Sequence, residues 1–140
     1  MAVDVNKMMI SLKDAAAKFG VEIGDRKKTY NSRLAQEVGL WAEQEGKGHA
    51  FHMQAFKAYF KDGKNLADKS VLRDLMNAAG LDRLKGESVI ENRTFSDAVD
   101  ADWELSRRSN ITAVPTFVCG FSRLVGAQSY TALERLVTAR

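Results

Sequence analysis

One cysteine, one proline and two histidines in 140 residues leave little of the usual equipment of a small redox or metal-binding domain. A lone Cys119 excludes an intrachain disulfide, a CxxC pair and a cysteine-based zinc site by counting. No stretch approaches the roughly 18 consecutive apolar residues of a membrane helix. The start of the chain also carries Asp4 and Lys7, where a secretory signal needs an unbroken apolar run. The expectation is a cytoplasmic protein with no membrane partner. Charge of one sign is lacking too, with 21 Lys+Arg against 18 Asp+Glu and a formal net charge of +3. The densest basic cluster, Arg26-Lys27-Lys28, has one nearby aromatic, Tyr30. That is too little to stack bases, so the cluster reads as a solvated face and no nucleic-acid partner is expected. There is no Ser-His-Asp order, glycine-rich phosphate loop, paired-carboxylate signature, internal repeat or low-complexity segment.

What is present is ordinary globular material, 45% hydrophobic and 28% charged, at a length suited to one compact domain, 1–140. Met8, Leu12, Ala15, Ala16 and Phe19 draw one stripe on a helix ending at Gly20, and 21–24 is short and extended. Leu34, Val38, Trp41 and Ala42 mark a second helix that stops at Gly46-Lys47-Gly48. From His49 to Phe60 the residues Phe51, Met53, Phe56, Tyr59 and Phe60 cover more than one face. That spread predicts a helix buried on most sides, at the centre of the core. Asp68 is the expected N-cap of a fourth helix carrying Val71, Leu72, Leu75, Met76 and Ala79 and closed by Gly80. A fifth helix spans about 82–91. Thr94 and Asp97, three apart, predict the start of a sixth that carries Phe95, Val99 and Trp103 and ends near Asn110.

The pattern then changes. Residues 111–120 are rich in β-branched side chains, and a second short run, 122–125, follows across Gly120-Phe121. This reads as a β-hairpin. A last helix, capped by Ser129, carries Tyr130, Leu133, Leu136 and Val137. Pro115, the only proline, stands at the entrance to the first strand, where it cannot donate to a ladder.

Val114-Pro115-Thr116-Phe117-Val118, followed by a turn, a strand and a final helix, resembles the second half of the thioredoxin fold. The resemblance extends outward through Gly46-Lys47-Gly48-His49-Ala50-Phe51-His52, Phe56-Lys57-Ala58-Tyr59-Phe60, Ala79-Gly80-Leu81-Asp82, Asp102-Trp103 and Gly126-Ala127-Gln128. In order these are similar to the helical insertion and C-terminal half of DsbA-like proteins. The FrnE-like branch is nearest, related to 2-hydroxychromene-2-carboxylate isomerases and kappa-class glutathione transferases. The resemblance covers roughly 20–140. It implies an α/β class, predominantly helical: a partial thioredoxin-like fold with a DsbA-type helical insertion over 1–110 and one C-terminal β-hairpin with its helix over 111–140. It also implies a cis Val114–Pro115 peptide.

The family's CxxC-bearing strand and helix have no counterpart in these residues. No catalytic residue is therefore assigned, because thiol exchange needs a reactive thiolate and a resolving thiol. Cys119 is expected to be a buried core cysteine. The resemblance implies a substrate-binding role for Val114, whose backbone would pair with an extended substrate, with Pro115 and Thr116 completing the loop. The partner would be an extended peptide or thiol substrate, joined by strand addition. Three functions follow: an inactive or accessory member of this oxidoreductase family, a glutathione- or small-aromatic-substrate-binding isomerase or transferase, or a protein-interaction module. Apart from glutathione in the second, no cofactor is expected. His49 and His52, at i and i+3 with Glu45 nearby, could be drawn as a metal site, but Gly46 and Gly48 should break the helix and no metal is assigned. An open β-edge at residues 116–119 leads to the expectation of a homodimer, two such strands pairing antiparallel about a two-fold axis.

Overall fold

The computed structural model describes residues 5–25 and 28–138; Asp4 and, of the basic cluster, Arg26 and Lys27 lie outside them. The elements run α1 (Val5–Ala17), α2 (Arg33–Gln44), α3 (Gly48–Phe56) continuing into a π-helical turn (Lys57–Lys61), α4 (Lys69–Ala78), α5 (Arg83–Asn92) and α6 (Ser96–Arg108). Then come the hairpin strands β1 (Thr116–Cys119) and β2 (Ser122–Val125) and the closing helix α7 (Tyr130–Thr138). The architecture is mostly helical with one antiparallel hairpin, and no helix among the described residues is long and apolar enough to cross a membrane. Two compact units result, Met1–Val99 and Asp100–Arg140, with the boundary inside α6.

Local chemistry sets the helix ends. The Asp68 carboxylate accepts from the Ser70 N–H at 2.8 Å, and Asp82 does the same for Lys85 at 2.8 Å, each satisfying a donor that the first turn leaves open. Ser129 Oγ accepts from the Ala132 N–H to open α7. At the far end of α4, Gly80 takes φ +71°. This lets its N–H reach the Asn77 carbonyl and the Leu81 N–H reach that of Met76, both at 3.0 Å.

In the first unit α2 packs on α3 and α5, and α4 on the same two helices. Val38, Trp41, Ala42, Phe51, Leu72 and Ile90 form the middle of the core. Two expectations fail here. The third helix does not bury most of its sides: Phe51, Ala55 and Ala58 face the core, but Met53 and Phe56 remain 54% and 57% exposed. The packed helices cover a single stripe, and the other faces an open groove. Thr94 does not cap the sixth helix either. Arg93 adopts φ +52° to end α5, and the chain completes a tight turn before α6 starts at Ser96, with the Val99 N–H bonded to the Phe95 carbonyl.

In the second unit β1 and β2 pair with Thr116 opposite Val125 and Cys119 opposite Ser122, across a two-residue turn whose Gly120 has φ +58°. A positive φ at the first central position suits the right-handed twist of the strands and favours glycine. The helix α7 packs on β2 and buries Leu136.

Candidate functional site

The loop 111–116 is clamped from several directions, all within the second unit. Asn110 turns the chain out of α6 at φ +52°, and the Ile111 N–H returns to the Ser106 carbonyl at 3.1 Å. The Arg123 guanidinium on β2 donates to the carbonyls of Ser109 and Asn110, both at 2.8 Å. A cation on the last open carbonyls of α6 is favoured by the helix dipole, and here it fastens the hairpin to the helix. The Thr116 hydroxyl donates to the Ala113 carbonyl at 2.6 Å and closes the loop on itself.

The Val114–Pro115 peptide is cis. The Pro115 carbonyl accepts from the Gly126 N–H at 2.8 Å, and the Gln128 amide donates to the Val125 carbonyl at 2.7 Å. The Val-Pro-Thr-Phe and Gly-Ala-Gln segments, with residues 118–125 between them in the chain, are thus one hydrogen-bonded unit. Of the three predicted binding residues, Thr116 and Pro115 shape the loop, while Val114 stands out from it at 86% exposure. Among the described residues its N–H and C=O have no hydrogen-bond partner.

The hairpin register extends this picture. With Cys119 and Ser122 closing a two-residue turn, the alternation of an antiparallel ladder directs the main-chain groups of residues 119, 117 and 115 toward β2. Those of Val118 and Thr116 therefore point to the free edge, and the unpartnered Val114 leads into it. On the face of the hairpin that carries Val118 and Arg123, Leu105, Ile111 and Asp102 join them in lining an open depression of about 600 Å³. The arrangement can hold an extended main chain.

Cys119 is exposed, contrary to the expectation of a buried core residue. It sits at the turn end of a four-residue strand whose burial fades from Thr116 to Cys119. Glu45 and His52, close in the sequence, take different partners. His52 Nε2 lies 3.0 Å from Glu43 with its ring stacked 6.4 Å from that of Phe56, while Glu45 takes Lys85 at 3.4 Å. No group of three or more potential ligands occurs among the described residues.

Sequence reasoning missed Glu37. It is fully buried on α2 and accepts from Arg93 at 2.5 and 2.7 Å and from Arg33 at 3.2 Å; Arg33 also donates to the Ser96 carbonyl and hydroxyl. The Arg93 guanidinium, against the opposing effect of burial and helped by Arg33, holds the Glu37 carboxyl below the usual carboxylate range. A carboxylate so held is an acceptor only and joins α2 to the start of α6. The Arg33/Glu37 spacing of four was the one visible signal.

Comparison with known proteins follows the same lines. A family model for the DSBA-like thioredoxin domain matches residues 1–138. The chain is 31% identical over 131 residues to the uncharacterized protein YwbO of Bacillus subtilis (strain 168), a match covering 91% of this chain and 66% of YwbO. Its fold is similar to the crystal structure of a probable DsbA oxidoreductase from Streptomyces coelicolor, with a TM-score of 0.84 and 23% identity over 92% of this chain and 57% of that one. The chain thus spans just under two thirds of the one relative's length and little more than half of the other's.

Proposed function

The chain belongs to the DSBA-like thioredoxin domain family, and from that membership we propose that these residues bind an extended polypeptide at the Val114–Pro115–Thr116 loop and carry out no thiol–disulfide exchange themselves. The observation that carries the reading is Val114, 86% exposed and with both main-chain groups unpartnered among the described residues. Main-chain pairing there supplies affinity with little demand on sequence, which suits a domain that meets unfolded or extended substrates. Exchange requires an attacking thiolate and a second thiol to resolve the mixed disulfide, and Cys119 stands alone at the hairpin turn. The same free edge offers a second copy of the chain antiparallel pairing through Thr116–Cys119, which is the homodimer reading; it competes with peptide for the same groups.

The test is fluorescence anisotropy with a labelled, reduced and alkylated unstructured peptide, run beside light scattering. Binding that survives Val114→Ala but is lost when the peptide is N-methylated along its backbone supports main-chain pairing. Binding unaffected by backbone methylation overturns it. Retention on immobilised glutathione with no peptide binding favours the small-thiol alternative, and a dimer that dissociates on peptide addition supports a shared edge. Insulin reduction that persists in Cys119→Ser would overturn the non-redox assignment.

A further inference from the structure

The first unit carries a second concave site that the loop does not explain. Between the segment 20–23 and the π-helical turn runs an open groove of about 750 Å³, walled by Leu12, Val21, Ile23, Met53, Phe56 and Phe60. That volume lies in the range of about 300–1,000 Å³ over which clefts enclose small molecules.

The groove is built. The Gly24 N–H donates to the Phe60 carbonyl at 2.9 Å, docking the extended segment on the π-helical turn. A Cβ on Gly24 would stand 2.0 Å from the Lys61 carbonyl oxygen, so the approach depends on glycine. A π-helical turn is an uncommon device that often sits at functional sites. Here it brings Phe56, Lys57, Phe60 and Lys61 onto one wall.

Charge selects the ligand. Lys61 is paired with Glu22 and Lys13 with Asp25, so two of the cations along this wall and its continuation are neutralised. Lys57 lines the groove with no ion-pair partner among the described residues, leaving one uncompensated positive charge beside an apolar cleft. We propose that this groove binds an anionic amphiphile, an acyl-chain carboxylate by chemical class, with its chain along Phe56, Phe60, Met53 and Val21 and its head received by Lys57. The acyl chain gains by leaving water, and the single positive charge of Lys57 ranks a carboxylate head above an alcohol and an alcohol above an ammonium.

The experiment titrates dodecanoate, dodecanol and dodecyltrimethylammonium, each below its aggregation threshold, into protein labelled at the methionine methyls. The Met53 methyl should shift with dodecanoate while buried Met76 stays still. Dodecanoate should bind about fivefold more tightly than dodecanol, the scale of one exposed charge pair. Lys57→Gln should bring the two to equal affinity with an unchanged circular dichroism spectrum. Met53→Gln, at an exposed position, should weaken both ligands together. Equal binding of dodecanoate and dodecyltrimethylammonium to the unmodified protein would overturn the proposal, as would shifts that leave Met53 unmoved or an affinity order that Lys57→Gln does not change.

Discussion

Replacing Glu37 by Gln tests whether the buried carboxylate ties α2 to the α5–α6 junction. The substitution keeps the shape and one carbonyl oxygen but sets an NH₂ donor against guanidinium donors that now approach to 2.5–3.2 Å. Removing one partner from a fully buried ion pair costs about 3–5 kcal/mol, because the charge left behind is uncompensated. Here the cost is smaller, since the Arg93 and Arg33 side chains retain 49% and 21% exposure and water takes up part of the loss. The expected destabilisation at pH 7 is about 2–3 kcal/mol, or roughly 10–20 °C in midpoint for a unit of this size. The assay is denaturant unfolding followed by Trp41, buried in the first unit, in a Trp103→Phe background. The pH dependence supplies a sign. Because the folded-state carboxyl lies below its ordinary value of 4.5, its contribution is present above about that pH and is lost as pH falls through the lowered value. Other carboxylates are common to both proteins and cancel, so the gap between parent and Glu37→Gln should narrow below about pH 4.5. A loss under about 1 kcal/mol at pH 7, or a gap that widens in acid, would refute the account.

Two glycines should separate backbone from side-chain crowding. Gly24→Ala places its Cβ 2.0 Å from a backbone carbonyl and should abolish the packing of segment 21–24, whereas Gly86→Ala meets the Met76 thioether at 2.6 Å, a flexible neighbour that can move, and should cost under about 2 kcal/mol by thermal melting. Arg123→Ala removes both bonds to the end of α6 and should speed amide exchange in β1 and β2 while leaving that of α2 and α4 unchanged. Cys119 should react fully with a thiol reagent in the native protein, and Cys119→Ser should leave the melting temperature within about 1–2 °C, as expected of an exposed side chain.

What the sequence determined by itself was the local punctuation. Asp68, Gly80 and Ser129 end or begin helices through bonds that span six residues or fewer, and Gly120 turns the hairpin by its own φ. The Val-Pro-Thr-Phe and Gly-Ala-Gln segments were legible as a pattern, and the family they point to is the one the chain belongs to. Tertiary structure decided which surfaces are covered. Glu37 reads as an ordinary surface partner of Arg33 until Arg93, 56 residues on, closes over it. The apolar His49–Phe60 stretch cannot say which of its two faces a neighbour will take, so Met53 and Phe56 were misplaced into the core. Cys119 has the character of a core residue but lies exposed at the turn end of its strand, where burial has faded. The bond from Gly126 to Pro115, which makes two distant segments one loop, likewise exists only once the strands have paired. The physical reason is range: caps and turns are satisfied within one or two turns of chain, while burial and pairing depend on partners whose arrival no local window records.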